Sequence, residues 1–169
     1  QSAAVVRGAT GRGSVYCCGF LPALAYVKAA LDERHALQKK VESNAVLDAT
    51  EQAEAAILER SYNPWKFPAD LRDLMLLPAR EAKVLPPIQC SSALVDAVFM
   101  PQERGILIPL ANYTLVPIAK LTLRVAVPHP IKRAESARWG MRAFQQLSPQ
   151  SVELSLPLEN NDFVLLRFE

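Results

Sequence analysis

The sequence predicts an α+β chain: an N-terminal α/β hairpin remnant and helices, followed by a C-terminal antiparallel immunoglobulin-like β-sandwich of about seven strands. Residues 118–127 carry the first observation, because Leu121, Leu123 and Val125 alternate with polar or small side chains, as in a strand with one buried face. The second is that short apolar segments recur between turn residues after residue 87, whereas the preceding region is rich in helix-forming residues.

Composition excludes several classes of partner. The net charge of +2 is small and the basic residues are dispersed, which argues against nucleic-acid binding. The longest apolar runs are shorter than the ~20 residues that span a bilayer, so we expect no membrane segment. No signal-peptide pattern is visible from Gln1 onward, and the compartment stays open.

The first predicted region, residues 1–31, begins with a hairpin. Residues 3–7 and 14–19 are apolar over several consecutive positions, which is typical of strands covered on both faces, and the glycine-rich segment between them predicts a tight turn. A phosphate-binding loop is disfavoured because a strand, and not a helix, follows these glycines. A hairpin alone cannot form a domain, so this region is interpreted as the end of a larger α/β unit.

Residues 32–86 are interpreted as a helical connector and residues 87–169 as the sandwich domain. One helix is expected after Pro22, a second after Asp48 and a third over residues 70–82, and proline-rich segments end the helical region. The seven predicted strands are residues 88–91, 94–100, 105–110, 118–127, 134–138, 150–157 and 163–168.

The three cysteines, Cys17, Cys18 and Cys90, are predicted to be buried free thiols, because their number is odd and two are adjacent in an apolar strand. Adjacent strand residues point to opposite faces, which disfavours a shared metal. A thiol enzyme that uses Cys17 or Cys18, or a dyad of a cysteine with His35 or His129, is kept as a third alternative. Both histidines are otherwise assigned to exposed positions.

The acidic residues are assigned to ordinary structure. Asp70 with Asp73, and Glu51 with Glu54, have helical spacing and are expected on solvated faces, not as the acid and base of a glycosidase. The acidic turn at residues 159–162 could bind calcium, but Asn and Asp shape turns without a metal. We therefore predict no metal and no cofactor.

Several stretches resemble β-galactosidase-type and related bacterial glycoside hydrolases. In residues 11–22 a glycine turn leads into a strand that ends in Gly-Phe-Leu-Pro, which is similar to the final hairpin of the class I glutamine-amidotransferase-like domain of these enzymes. Other stretches resemble the small β-sandwich that follows that domain: residues 92–99, 105–114 with its Leu-Ala-Asn-Tyr-Thr turn, 152–157, and the closing Asp-Phe-Val-Leu-Leu segment at 162–166.

This resemblance covers residues 3–28 and 68–169 and contains no catalytic motif. It implies that the catalytic barrel and its two carboxylates lie outside this sequence, and that the amidotransferase-like part lacks its Cys-His pair. The first functional hypothesis is therefore a non-catalytic structural or assembly region, whose partners are an upstream domain of the same protein or a second copy of the chain.

The alternative hypothesis is a carbohydrate-binding module, because sugar rings stack on exposed aromatic faces. Trp139, Tyr113 and Arg138 are the predicted binding residues, with a polysaccharide as ligand. Trp65 is instead expected to pack beside neighbouring prolines and a phenylalanine. Asn112 begins an Asn-x-Thr glycosylation pattern, but it is predicted only to shape the hairpin turn.

Overall fold

The chain consists of two compact units, Gln1–Leu85 and Pro86–Glu169. The structure is a computed structural model and describes residues 4–59 and 61–169. Three helices and mostly antiparallel strands make it an α+β protein with a sandwich-like arrangement of sheets, which confirms the predicted fold class.

The first unit begins with an antiparallel hairpin of β1 (Val5–Thr10) and β2 (Gly13–Cys18). The two-residue turn between them starts at Gly11, whose φ of +58° is the left-handed conformation that such a turn needs and that glycine adopts without steric cost. The predicted hairpin is therefore confirmed, with a shorter turn and a longer first strand than expected.

Three helices follow: α1 (Pro22–Glu42), α2 (Ala49–Leu58) and α3 (Ala69–Glu81). The start of α2 is a capping box, in which the Asp48 carboxylate accepts the Glu51 N–H at 2.8 Å and the Glu51 carboxylate accepts the Asp48 N–H at 3.2 Å. The predicted boundary between residues 31 and 32 falls inside α1, and the three-part domain division stays a prediction.

The hairpin of the first unit is exposed on its outer face. Val5, Tyr16 and Cys18 line a cleft of about 290 Å³ together with residues of α1 and α3. The alternate residues face away from these helices, and Val6 and Val15 are 53% and 44% exposed. Within the described first unit no other segment covers this face, so the expectation that both faces are covered by a larger α/β unit stays a prediction.

Little apolar surface is buried in the first unit. Of its described apolar residues only Ala30 and Leu37, both in α1, are buried. Exposed or half-buried ion pairs also link its segments, such as Lys40 of α1 with Glu51 of α2, and Lys66 with Glu54 of α2 at 2.8 Å. Exposed ion pairs contribute about 1 kcal/mol or less each, so they do not replace a core.

The second unit contains ten strands in two antiparallel sheets. One sheet has the order β10-β11-β7-β3, and the other has the order β4-β6-β12-β8-β9 with β5 also paired to β6. The bounds are β3 (Ile88–Cys90), β4 (Val95–Ala97), β5 (Met100–Gln102), β6 (Gly105–Asn112), β7 (Ile118–Ala126), β8 (Arg133–Ser136), β9 (Gly140–Met141), β10 (Phe144–Ser148), β11 (Ser151–Leu158) and β12 (Asn161–Arg167).

A single core lies between the two sheets. Every second side chain of β6, β7, β11 and β12 is buried, which is the period expected of strands with one face inward. The largest fully buried side chains of this core are Ile106, Ile108, Leu121, Leu123, Leu156, Leu158 and Leu166.

The count of about seven strands was too low for two physical reasons. The predicted strand 94–100 is divided into β4 and β5, and both pair with β6 in the same register. The division lies opposite Pro109, which has no N–H to donate to the neighbouring strand. β9 and β10 were not predicted. In β10 a glutamine, Gln146, takes an inward position, and its amide is satisfied by the Ile131 N–H and by two backbone carbonyls.

In the described ranges, 4–59 and 61–169, no helix combines the length and apolar character that crossing a membrane requires.

Candidate functional site

The predicted binding residues lie in one group of loops, called here the loop cluster and made of residues 112–116, 136–139 and 159–162. The register places these segments together, because Ala111 pairs with Asn161 and Ser136 pairs with Val164. The turn between β11 and β12 contacts both other segments. The cluster therefore forms one end of the second unit.

A buried carboxylate holds the 136–139 segment. Asp162 is 2% exposed, and its two oxygens accept hydrogen bonds from the Ser136 hydroxyl at 2.5 Å, the Phe163 N–H at 2.7 Å and the Arg138 N–H at 3.2 Å. Ser136 in turn accepts the Trp139 N–H at 2.9 Å. Because a buried carboxylate needs such donors, the backbone that carries Trp139 is fixed by the first residues of β12.

A side-chain amide holds the 112–116 segment in a similar way. The Asn112 amide donates to the carbonyls of Val116 at 2.8 Å and Glu159 at 2.5 Å, and its oxygen accepts the N–H and the hydroxyl of Thr114 at 2.9 and 2.7 Å. Asn112 thus ties the turn to the β11–β12 connection. The prediction that this residue shapes the hairpin turn is confirmed.

The aromatic side chains predicted to bind sugar are accessible. Trp139 is 41% exposed and Tyr113 is 56% exposed. The Arg138 guanidinium donates to the side chains of Asn161 at 3.1 Å and Glu159 at 3.4 Å. The loop cluster thus holds two accessible aromatic side chains and one oriented cation, which can stack and hydrogen-bond.

The three cysteines differ in exposure in the described structure. All three are free, but Cys17 and Cys18 are exposed, so the prediction that they are buried is wrong; the uncovered hairpin is the reason. Cys90 is half-buried, and burial raises the pKa of its thiol, with the Asp96 carboxylate adding to the effect. A raised pKa lowers the thiolate fraction at neutral pH, which is the opposite of an activated nucleophile.

The histidines and paired carboxylates have structural surroundings. His129 packs edge-on against Phe168 with ring centroids 5.7 Å apart, and His35 is exposed on α1. Asp73 pairs with Arg80 at 2.8 Å. Within the part of the chain that is described, no cluster of three His, Cys, Asp or Glu has metal-site geometry.

The comparisons with known proteins support only the fold. No protein-family model matches the chain, and no curated protein matches it. A solved structure, α-L-fucosidase isoenzyme 2 from Paenibacillus thiaminolyticus, is similar with a TM-score of 0.50 and 16% identity.

The match to this fucosidase covers 59% of the present chain but 18% of the fucosidase chain. The present chain thus has weak structural similarity to a small part of a glycoside hydrolase. The comparisons give no support to the amidotransferase-like assignment of the N-terminal hairpin.

Proposed function

We propose that this chain is a non-catalytic assembly region of a glycoside-hydrolase-like protein, with the outer face of the β1–β2 hairpin as its assembly surface. The observation that carries this proposal is the contrast in burial between the two units. The second unit has a continuous apolar core of 17 buried residues, whereas the described first unit buries two apolar side chains. The first unit therefore has more apolar surface left to bury against a partner than the second unit has.

The hairpin offers two kinds of contact to that partner. Val6, Val15 and Cys17 share one exposed face, because alternate residues of paired strands point the same way. The two-stranded sheet also has unpaired outer edges among the described residues, and such edges readily pair with another strand. In a solution of the isolated chain, a second copy is the partner available to this face.

Sedimentation velocity over a range of concentrations tests this proposal. We expect the wild-type chain to self-associate and the Val6→Ser/Val15→Ser variant to sediment as a monomer. Val46→Ser is the matched control, because Val46 is 98% exposed but lies outside the hairpin. A wild-type chain that stays monomeric at every concentration, or a Val46→Ser variant that loses association equally, contradicts the assembly role.

A direct assay tests the non-catalytic part of the proposal. The purified chain is expected to hydrolyse none of a panel of aryl glycosides, because the cleft beside the hairpin is lined by no carboxylate and the groove on the four-stranded sheet by one, Glu153. Turnover that co-purifies with the chain and disappears on a single carboxylate substitution contradicts this part.

Carbohydrate binding at the loop cluster is the second candidate, and the exposure of Trp139 and Tyr113 beside Arg138 supports it. Affinity electrophoresis in gels that contain neutral polysaccharides tests it. Retardation that Trp139→Ala abolishes and Tyr62→Ala retains supports binding, since Tyr62 is a more exposed aromatic, at 91%, outside the cluster. Absence of retardation on every polysaccharide contradicts this candidate.

A further inference from the structure

A polar groove lies on the outer face of the four-stranded sheet of the second unit. Its volume is about 380 Å³, and it crosses three neighbouring strands of that sheet. The groove follows from the alternation of these strands: apolar side chains point into the core, so polar ones line the outside. Its lining includes Lys120, Arg142, Phe144, Gln145, Glu153 and Ser155.

The groove carries positive charge that the described protein does not neutralise. Neither Lys120 nor Arg142 forms an ion pair with any described residue, and the buried Nε of Arg142 has no acceptor in that part of the chain. Glu153 is the one carboxylate in the lining, and it is bound by Arg124 at 3.0 Å. The lining therefore holds two cations and one carboxylate that Arg124 already binds, so this groove favours an anionic ligand.

The other groups of the groove suit hydroxyl-rich ligands. The Ser155 hydroxyl is 3.0 Å from that of Thr122 and keeps capacity for a further hydrogen bond. The Gln145 side chain offers both a donor and an acceptor. Sugar hydroxyls both donate and accept, which suits these two side chains.

We propose that this groove is a binding site for an anionic saccharide, whose carboxylate or sulfate group lies against Lys120 and Arg142 while its hydroxyls contact Gln145 and Ser155. This inference goes beyond the assembly role and does not depend on it. The groove shares no lining residue with the loop cluster, so variants can separate the two sites.

Isothermal titration of the full chain with three oligosaccharides tests the proposal. An oligogalacturonide carries carboxylates, a heparin-derived oligosaccharide carries sulfates, and a cello-oligosaccharide is neutral. We expect one of the acidic ligands to bind, with an affinity that falls as salt is added. The acidic ligand that binds identifies the anionic group, and the neutral ligand is expected to bind at least about tenfold more weakly.

Charge-removing variants locate the site. Lys120→Gln/Arg142→Gln is expected to weaken the binding at least about tenfold, because each cation donates charge-assisted hydrogen bonds to the ligand. Lys132→Gln/Arg167→Gln is the matched control: these residues are exposed on the same unit and do not line the groove. Trp139→Ala is expected to leave the binding of the acidic ligand unchanged.

Amide shift mapping of the wild-type chain gives a readout that needs no variant. We expect the acidic ligand to shift the amides of Lys120, Gln145 and Ser155 more than those around Lys132. Binding of no acidic ligand, equal binding of the neutral one, equal loss in the control variant, or shifts confined to the loop cluster each overturns the proposal. Loss of binding on Trp139→Ala alone assigns the ligand to the loop cluster and also overturns it.

Discussion

Replacement of Asp162 is expected to destabilise the second unit and to release the segment that carries Trp139. In Asp162→Ala the Ser136 hydroxyl and the N–H groups of Arg138 and Phe163 lose their acceptor. At roughly 1 kcal/mol or slightly more for each orphaned donor, the free energy of unfolding falls by about 3–4 kcal/mol.

Asp162→Asn separates charge from shape at the same position. The amide oxygen can still accept the Arg138 and Phe163 N–H groups, and the amide nitrogen can donate to Ser136. Ser136 already accepts the Trp139 N–H, so its own proton is then left without an acceptor. We expect a loss of about 1–2 kcal/mol, clearly smaller than that of Asp162→Ala.

Urea unfolding, with amide hydrogen exchange of the β6 and β12 amides to isolate the second unit, measures these losses. Asp96→Ala is the control, because Asp96 is exposed on β4 and makes no side-chain hydrogen bond to a described residue; it is expected to change stability by less than about 0.5 kcal/mol. An Asp162→Ala protein as stable as Asp96→Ala would refute the argument that this carboxylate holds the loop cluster.

Three other predictions concern both units. Gly105→Ala is expected to lower the free energy of unfolding of the second unit by about 3 kcal/mol, because a Cβ at this position would lie 2.1 Å from the Leu166 carbonyl oxygen. The pKa of Glu51 is lowered by the hydrogen bond from Lys40 and, to a smaller extent, by that from the Asp48 N–H. The Glu51 carboxylate therefore stabilises the fold above its unfolded-state pKa, and this stabilisation is lost as the pH falls through its lowered folded-state pKa. Acid titration of helix content should show this loss. Cys17 is expected to react faster with a thiol reagent than Cys90, as mass spectrometry of labelled peptides can show, because it is exposed whereas burial raises the pKa of the Cys90 thiol.

Each of these predictions has a control in the same chain. Gly8→Ala should leave stability nearly unchanged, since no heavy atom lies within 4 Å of a Cβ there. Glu51→Gln should remove the acid-dependent loss of helix content and lower stability at neutral pH. Equal labelling rates for Cys17 and Cys90 would contradict the difference in burial.

The pattern of the sequence predicted the second unit well wherever its strands bury apolar residues. The alternation of Leu121, Leu123 and Val125 identified β7, and short apolar segments between turn residues identified β6, β11 and β12. Prediction failed where a polar residue took an inward position or a proline interrupted a ladder. Gln146 concealed β10, and Pro109 divided the strand that pairs with β6.

The role of Asp162 was also missed, although its turn was recognised. An acidic residue before an apolar strand usually remains in solvent, and only the pairing of β12 with β8 brings the Ser136 hydroxyl to it. Trp139, Tyr113 and Arg138 were identified from residue type, but their common position depends on contacts between residues far apart in the sequence. The burial of Cys17 and Cys18 was wrong because apolar character indicates only that a strand can be covered.

Amide hydrogen exchange of the β1–β2 hairpin, at low and at high protein concentration, tests the assembly role most directly. We expect the hairpin amides to exchange quickly in dilute solution and to become protected as the chain associates, while the amides of β6, β7, β11 and β12 stay protected throughout. Hairpin amides that exchange at the same rate at every concentration would contradict it.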